Sequence, residues 1–184
     1  DDVEYAENAG YAIKLIGLIE NTVEGLVATV CPRLVSINNP LSSVNDVFNA
    51  IMVTGDAVGD VLFYGRGAGA LPTASAVVAD IIDAAKHQER DIISLDWEDS
   101  EDSSFIRSYK TAPVRIYARV RCSNADSLKE LITSQFGYVD FIPRKHRSTD
   151  ELAFITPMLE ESRIDKALGE ISRSARLMKK IRLL

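Results

Sequence analysis

The chain has 184 residues, a mass of 20.3 kDa, 46% hydrophobic and 26% charged residues, and a formal net charge of −6. At roughly 150 residues per domain, this length allows one domain or two small ones and excludes a large multidomain enzyme. Ordinary composition and short apolar runs exclude a membrane-spanning or disordered chain, and the acidic start at Asp1, with no Met and no signal-peptide pattern, predicts part of a longer, cytoplasmic polypeptide.

Uneven charge predicts a division of the chain. Residues 1–86 carry 11 acidic and 4 basic residues, whereas residues 113–184 carry 9 acidic and 14 basic residues. Between them lies an acidic, serine-containing run that cannot bury enough apolar area to form its own core. The sequence therefore predicts a first domain over 1–90, an acidic linker over 91–112 and a second domain over 113–184.

The first predicted element is a hairpin of two long strands. Tyr11–Ile19 and Glu24–Val35 are rich in Ile, Leu and Val, and the short polar stretch Glu20–Thr22 joins them. Two shorter strands follow, over Ala50–Val53 and Val61–Tyr64.

A glycine stretch, Gly65–Gly69, comes directly after the last of these strands. Apolar residues then recur at helical spacing, with Pro72 near the first turn, which predicts a helix over 71–86.

The second part of the chain predicts a βαββαβ order. Its elements are a strand over Val114–Val120, a helix begun by Ser123–Asp126 and ended by Gly137, strands over Tyr138–Pro143 and Leu152–Thr156, a helix over Glu160–Ala175 and a strand over Leu177–Leu183. This order is typical of a ferredoxin-like sheet with both helices on one face. The predicted fold class is α+β, a mixed or antiparallel sheet with packed helices followed by this ferredoxin-like domain.

The glycine stretch is the one motif with ligand-binding chemistry. Glycines between a strand and a helix allow close backbone approach, and the N–H groups at a helix start attract anions. The pattern is GxGxG, however, and it lacks the Lys-Ser or Lys-Thr of a P-loop. Taken alone, the glycines indicate either a tight structural turn or a phosphate site. Arg66 either steers a phosphate or pairs with Asp56 or Asp60.

No catalytic or metal-ligating set emerges from the other polar residues. Asp80 and Asp83 lie on the predicted helix and are expected to be solvated, and His87 and His146 have no triad or metal-site neighbours. The two cysteines, Cys31 and Cys122, are far apart and are expected to be reduced thiols.

A basic second part with aromatic strand residues also raises the possibility of RNA binding. Base-stacking sheets of this topology carry an RNP1 pattern, which is absent here. The aromatic residues Tyr117, Tyr138, Phe141 and Phe154 are better explained as core, so neither nucleic acid nor membrane is expected as a partner.

Several stretches in order resemble homoserine dehydrogenase. They are Gly10–Leu15, Asn39–Leu41 with Val44, Asn49–Ile51, Gly65–Ala74 and Val77–Asp80. Residues 113–184 resemble the ACT domain that many members of this family carry.

The resemblance implies an enzyme that reduces aspartate semialdehyde to homoserine with NADPH or NADH, on the route to threonine, methionine and isoleucine. It places Gly67, Ala68 and Gly69 against the cofactor. The family's nucleotide fold and its G-x-D-x-x-x-K proton-transfer region do not occur in the sequence. The chain alone is therefore expected to bind no dinucleotide tightly and to catalyse nothing.

The resemblance also implies a homodimer, because family members make their dimer contact through the sheet of the predicted hairpin. An amino-acid effector at the ACT domain is a further expectation. The family's Asp-x-Pro-Gly is replaced here by Ser123–Asp126, which favours an assembly role instead. The alternative function is a non-catalytic amino-acid-sensing or assembly module of the ACT type.

Overall fold

The structure is a computed structural model that describes residues 1–87, 103–144 and 150–184. These residues form two compact units, one of residues 1–42 with the described residues beyond 102, the other of residues 43–87. The predicted domain division follows chain order, whereas the contacts group the N-terminal residues with the C-terminal ones. Most of the predicted linker lies outside the described residues. No helix in the described ranges is long and apolar enough to cross a membrane.

The first unit combines helices and strands from both ends of the chain. Its elements are α1 Asp2–Asn8, β1 Tyr11–Thr22, β2 Gly25–Ser36, β5 Pro113–Val114, β6 Ile116–Arg121, α3 Ala125–Phe136, β7 Asp140–Phe141, β8 Glu151–Ile155, β9 Leu159–Glu160, α4 Glu161–Ile171 and β10 Arg176–Leu183. The second unit contains β3 Phe48–Gly55, β4 Gly59–Arg66 and α2 Ala70–His87, after a 3₁₀ turn at Pro40–Ser43. The α+β class is confirmed.

A six-stranded sheet in the order β1-β2-β10-β6-β8-β7 organises the first unit. All neighbouring strands are antiparallel except β2 and β10, which pair in parallel through Arg33 with Arg182 and Leu34 with Leu183. This short parallel contact extends the sheet of the C-terminal strands by the N-terminal hairpin. The hairpin therefore belongs to the same sheet as residues that follow it by more than a hundred positions.

Strands β6 and β8 of the sheet are covered on both faces, as the alternation along β6 requires. Ile116, Ala118 and Val120 face one apolar core, which α3 and α4 close with Leu128, Ile132, Ile164 and Leu168. Tyr117 faces a second core on the opposite side, where Tyr5 and Ala6 of α1 pack with residues of β2, β8 and β10. Successive side chains of a strand point to opposite faces, so a fully buried strand needs both layers.

Helix α1 is held to the sheet by buried charges. Arg119 is 8% exposed, and its guanidinium donates to Asp2 at 2.8 Å and to Glu151 at 2.7 Å. Tyr5 donates to Glu151 and Tyr117 donates to Asp2, each at 2.9 Å. Burial raises the pKa of the Glu151 carboxyl, but hydrogen bonds from Arg119 and Tyr5 outweigh burial and hold this pKa below its ordinary value.

Several element boundaries differ from the sequence predictions, most clearly in the first hairpin, the 138–143 strand and the last helix. The first hairpin turns at Val23 and Glu24 rather than at Glu20–Thr22, because Gly25 adopts a φ of +130° and the Thr22 hydroxyl donates to its carbonyl. Only Asp140 and Phe141 of the predicted 138–143 strand pair with β8. Helix α4 ends at Ile171, since turns occupy the residues up to Ala175. Helix α1 was not predicted.

The Arg119 cluster predicts a specific stability loss. Replacing Arg119→Met removes the 2.7 Å ion pair of the buried Glu151 carboxylate and leaves it only Arg144 at 3.6 Å, which costs about 3–5 kcal/mol of unfolding free energy. Above the unfolded pKa of about 4.3, the paired carboxylate contributes its full stabilisation, which is lost as pH falls through the lower folded-state pKa. Between neutral and acidic pH, the unfolding free energy measured in urea should therefore fall less steeply for the variant than for the wild type. Arg173→Met, which removes an exposed pair with Glu170, is the control, and equal losses for both would contradict this role.

Candidate functional site

The candidate site is the turn between β4 and α2, where the sequence places its glycines. Strands β3 and β4 form a hairpin in which Phe48 lies opposite Arg66 and Asn49 opposite Gly65. Beyond the last strand pair, the Gly67 N–H donates to the Val47 carbonyl at 3.3 Å, which fixes the direction in which the chain leaves the hairpin. Helix α2 begins at Ala70, so the predicted order of strand, glycines and helix is present.

The local structure explains why two of these positions are occupied by glycine. A Cβ at Gly67 would lie 2.1 Å from Nδ2 of Asn49, a distance that no real side chain tolerates. Gly69 has a φ of +126°, a conformation that favours glycine over any other residue. By contrast, a Cβ at Gly65 would meet nothing within 4 Å. The structural-turn interpretation therefore explains Gly67 and Gly69 without a ligand.

The turn is also accessible to an anion. Ala68, Gly69 and Ala70 are exposed. The first turn of α2 contains no acidic side chain, and the first intrahelical bond from this turn is donated by Thr73 to the Gly69 carbonyl at 3.1 Å. The preceding N–H groups of a helix have no intrahelical acceptor and carry partial positive charge. Backbone at residues 68–71 can therefore contact a phosphate or a carboxamide oxygen.

Arg66 lies beside this turn and stacks on aromatic rings. Its guanidinium carbon is 5.4 Å from the centroid of the Phe48 ring, and Phe48 stacks on Tyr64 with centroids 4.9 Å apart and planes 8° apart. In the described ranges, Arg66 makes no ion pair with Asp56 or Asp60, so that alternative for its role was wrong. This stack was not predicted from the sequence, because the predicted strand begins at Ala50, two residues after Phe48.

The remaining candidate residues do not converge on a site. Asp80 and Asp83 are exposed on α2, as expected, and Asp83 lies 3.4 Å from His87 one turn later. Both cysteines are free thiols, no group of potential metal ligands occurs among the residues described, and His146 lies outside them. Of the strand aromatics, Tyr117 and Phe154 are core residues as predicted, whereas Tyr138 is 80% exposed.

Helix α2 presents an uncovered apolar face. No side chain of this helix is buried, and Leu71, Val77, Val78, Ile81 and Ile82 are each between 47% and 83% exposed. These residues recur at helical spacing, which is the pattern of a helix that packs against another surface.

Comparison with known proteins identifies relatives of these residues. The homoserine dehydrogenase family model matches residues 1–82. The homoserine dehydrogenase of Neisseria gonorrhoeae is 52% identical over 90 residues, which are 49% of this chain and 21% of that protein. The Bacillus subtilis enzyme is 40% identical over 87 residues, 47% of this chain and 20% of that protein. The chain thus matches about a fifth of the length of these curated relatives.

Solved structures match along the whole chain. A homoserine dehydrogenase from Thiobacillus denitrificans aligns with a TM-score of 0.80 and 28% sequence identity, covering 100% of this chain and 44% of that one. The S. aureus homoserine dehydrogenase at pH 6.5 aligns with a TM-score of 0.71 and 27% identity, covering 100% and 43%. The chain therefore spans less than half of the solved enzymes that it resembles.

The contact between Gly67 and Asn49 predicts a coupled pair of substitutions. Gly67→Ala should lower the unfolding free energy by about 1–3 kcal/mol, because the new methyl group and the Asn49 amide occupy one space. Asn49→Gly in the same chain should recover most of the loss, and Gly65→Ala, whose methyl group meets nothing, is the control. Urea unfolding of the wild type, the two single variants Gly67→Ala and Asn49→Gly, and the double variant measures the coupling. Equal effects of Gly67→Ala with and without Asn49 would show that the contact does not matter.

Proposed function

Because the homoserine dehydrogenase family model matches residues 1–82, we propose that the chain is the C-terminal part of an enzyme that reduces aspartate semialdehyde to homoserine with NADPH or NADH. The observation that carries this proposal is the match of the strand, glycine turn and helix to the family, together with the structural alignment over the whole chain. The reaction belongs to the route to threonine, methionine and isoleucine. Nothing in the turn distinguishes the two nucleotides.

Within that enzyme, Gly67, Ala68 and Gly69 would lie against the nicotinamide nucleotide. The residues fit such a group, because the backbone is exposed and leads into a helix start without acidic side chains. Arg66 adds a positive charge near the same turn. The nucleotide supplies the hydride, while this chain supplies a surface that orients it. The chain alone would not catalyse the reaction, since its sequence lacks the G-x-D-x-x-x-K motif that serves proton transfer in the family.

Ala68 offers the sharpest test of this role. Its backbone has no positive φ, so Ala68→Leu adds bulk at the exposed turn without backbone strain. In a chimera that carries residues 1–87 of this chain in place of the matching segment of the N. gonorrhoeae enzyme, Ala68→Leu should lower kcat/KM for the nucleotide at least tenfold. Ala57→Leu, at the exposed β3–β4 turn, is the matched control. An Ala68→Leu chimera that folds and keeps its kcat/KM would refute the proposed contact.

A homodimer is proposed from the sheet face of the β1–β2 hairpin. Leu15, Ile19 and Val30 are 74%, 75% and 78% exposed, and the strand register places them on one face with Gly17 and Pro32. We call these five residues the hairpin patch. It contains no charged residue, and contiguous apolar surface of this kind marks an interaction site. A second copy of the chain is its proposed occupant, in line with the dimer contact of the family.

The dimer proposal predicts that charge on the hairpin patch separates the subunits. Val30→Glu should convert the dimer to a monomer in sedimentation or light-scattering measurements, because two-fold packing would bury both new carboxylates. Val23→Glu changes a fully exposed valine at the tip of the hairpin, away from the patch, and should leave the dimer intact. A wild-type chain that is monomeric at high concentration, or a dimeric Val30→Glu variant, would exclude this surface.

The second candidate function is an ACT-type sensing or assembly module. Its support is the order β10-β6-β8-β7 with α3 and α4 packed on one face, which corresponds to a ferredoxin-like βαββαβ arrangement. The helix start after β6 is capped by the Asn124 side chain, which accepts from the N–H groups of Asp126 and Ser127, in place of the family's Asp-x-Pro-Gly. This difference favours assembly over effector binding.

Threonine provides the test that separates these roles. A ligand at about 100 times its dissociation constant stabilises the folded state by about 2.7 kcal/mol, so a sensing module should show a rise in melting temperature with L-threonine and none with D-threonine. We expect no rise, because the effector loop is replaced. A saturable L-threonine response would assign the chain a sensing role as well.

A further inference from the structure

Arg33 is a buried arginine whose charge is not balanced by a carboxylate. It lies in the middle of β2 and is 6% exposed. Its guanidinium donates to the Leu183 carbonyl at 2.9 Å and to the Thr29 hydroxyl at 2.8 Å. Its Nε–H has no acceptor, and no acidic group of the described residues lies within 4.0 Å. A buried charge without a counterion costs several kcal/mol, so this arrangement requires an explanation.

The neighbouring charges do not provide the counterion. The strand register places Lys14 and Arg182 on either side of Arg33, on the same face of the sheet. The nearby carboxylate of Glu161 is already used, since it accepts from Arg182 at 2.7 Å and from Lys180 at 2.6 Å. Arg33 and Arg182 therefore lie side by side across β2 and β10, while the buried acid beside them already pairs with two cations.

A small cavity lies against this row of charges. Its volume is about 20 Å³, which is enough for one water molecule or one monatomic anion. Its walls include Thr29, Arg33, Tyr109, Glu161 and Arg182. The ring of Tyr109 stacks under the Arg182 guanidinium, with 4.9 Å between the guanidinium carbon and the ring centroid, so Arg182 is fixed in place. Glu20 lines the cavity from an exposed position, without an ion pair to Arg33.

We propose that this cavity is a binding site for one small monovalent anion of halide size, held by the Arg33 guanidinium. An anion neutralises the buried cation and accepts the Nε hydrogen bond, whereas a water molecule would provide only the acceptor. The small volume favours a monatomic anion over phosphate or sulfate. The site stabilises the junction at which β2 joins β10, and it is independent of the proposed reaction.

Bromide provides a direct test, because its anomalous scattering identifies it in a crystal. In crystals of the 184-residue chain grown in sodium bromide, we expect an anomalous peak within hydrogen-bond distance of Arg33 Nε. A well-ordered site without anomalous signal would mean that water fills the cavity, and it would overturn the proposal. This measurement uses the unmodified chain, so it does not depend on the folding of a variant.

Thermal unfolding supplies an independent measurement in solution. At constant ionic strength, replacing gluconate by chloride should raise the melting temperature of the wild-type chain by a few degrees, since an anion that binds only the folded state stabilises it. The rise should be absent in Arg33→Met and unchanged in the control Arg173→Met, which alters an exposed arginine. An equal chloride response in all three proteins, or none in the wild type, would overturn the site.

Discussion

The first unit depends on a guanidinium that two distant segments share. Arg119 projects from the middle of the sheet, and it binds Asp2 from the N-terminal helix and Glu151 from β8. Arg119 and Glu151 are buried and Asp2 is half-buried, so loss of the arginine leaves both carboxylates poorly compensated. Because Tyr5 and Tyr117 donate to the same carboxylates, the helix can lie on the sheet in one position only. This cluster fixes the second layer of the fold, and the second layer allows β6 to be buried on both faces.

The sheet that the Arg119 cluster supports also joins the N-terminal residues 1–42 to the C-terminal strands. The family match ends at residue 82, yet residues 1–42 complete the sheet of the C-terminal strands. Two kinds of contact make this junction: the α1 layer on one face and the parallel pairing of β2 with β10. Burial of Arg33 at the pairing shows that charge, as well as apolar area, was placed at the junction. A regulatory or assembly role for the C-terminal part would act directly on the hairpin through these contacts.

Local patterns in the sequence were sufficient for most elements and insufficient for their arrangement. Alternation along β6, the helical spacing of α2 and the stop at Gly137 each follow from neighbours within a few residues, and the structure contains all three. Helix α1 has seven residues, and of its apolar residues only Tyr5 and Ala6 are buried, so its periodicity is too short to detect. The pairing of β2 with β10 joins residues about 150 positions apart through two residue pairs, and no local propensity encodes it. The turn lies at Val23 rather than where it was predicted because Gly25 permits a positive φ, which composition alone does not reveal.

The glycine turn shows why a glycine motif is weak evidence for a ligand. Gly67 leaves room for the Asn49 side chain, and Gly69 has a backbone conformation that favours glycine, so both are explained without a ligand. Ala68 is different, because it is exposed, unstrained and small without a local reason in the turn. Ala68 and the helix start that follows it are therefore the features of this turn that point to a ligand. A turn whose shape is already fixed by its own chain can present that backbone to a ligand without reorganisation, and preorganisation of this kind increases affinity by reducing the entropy cost of binding.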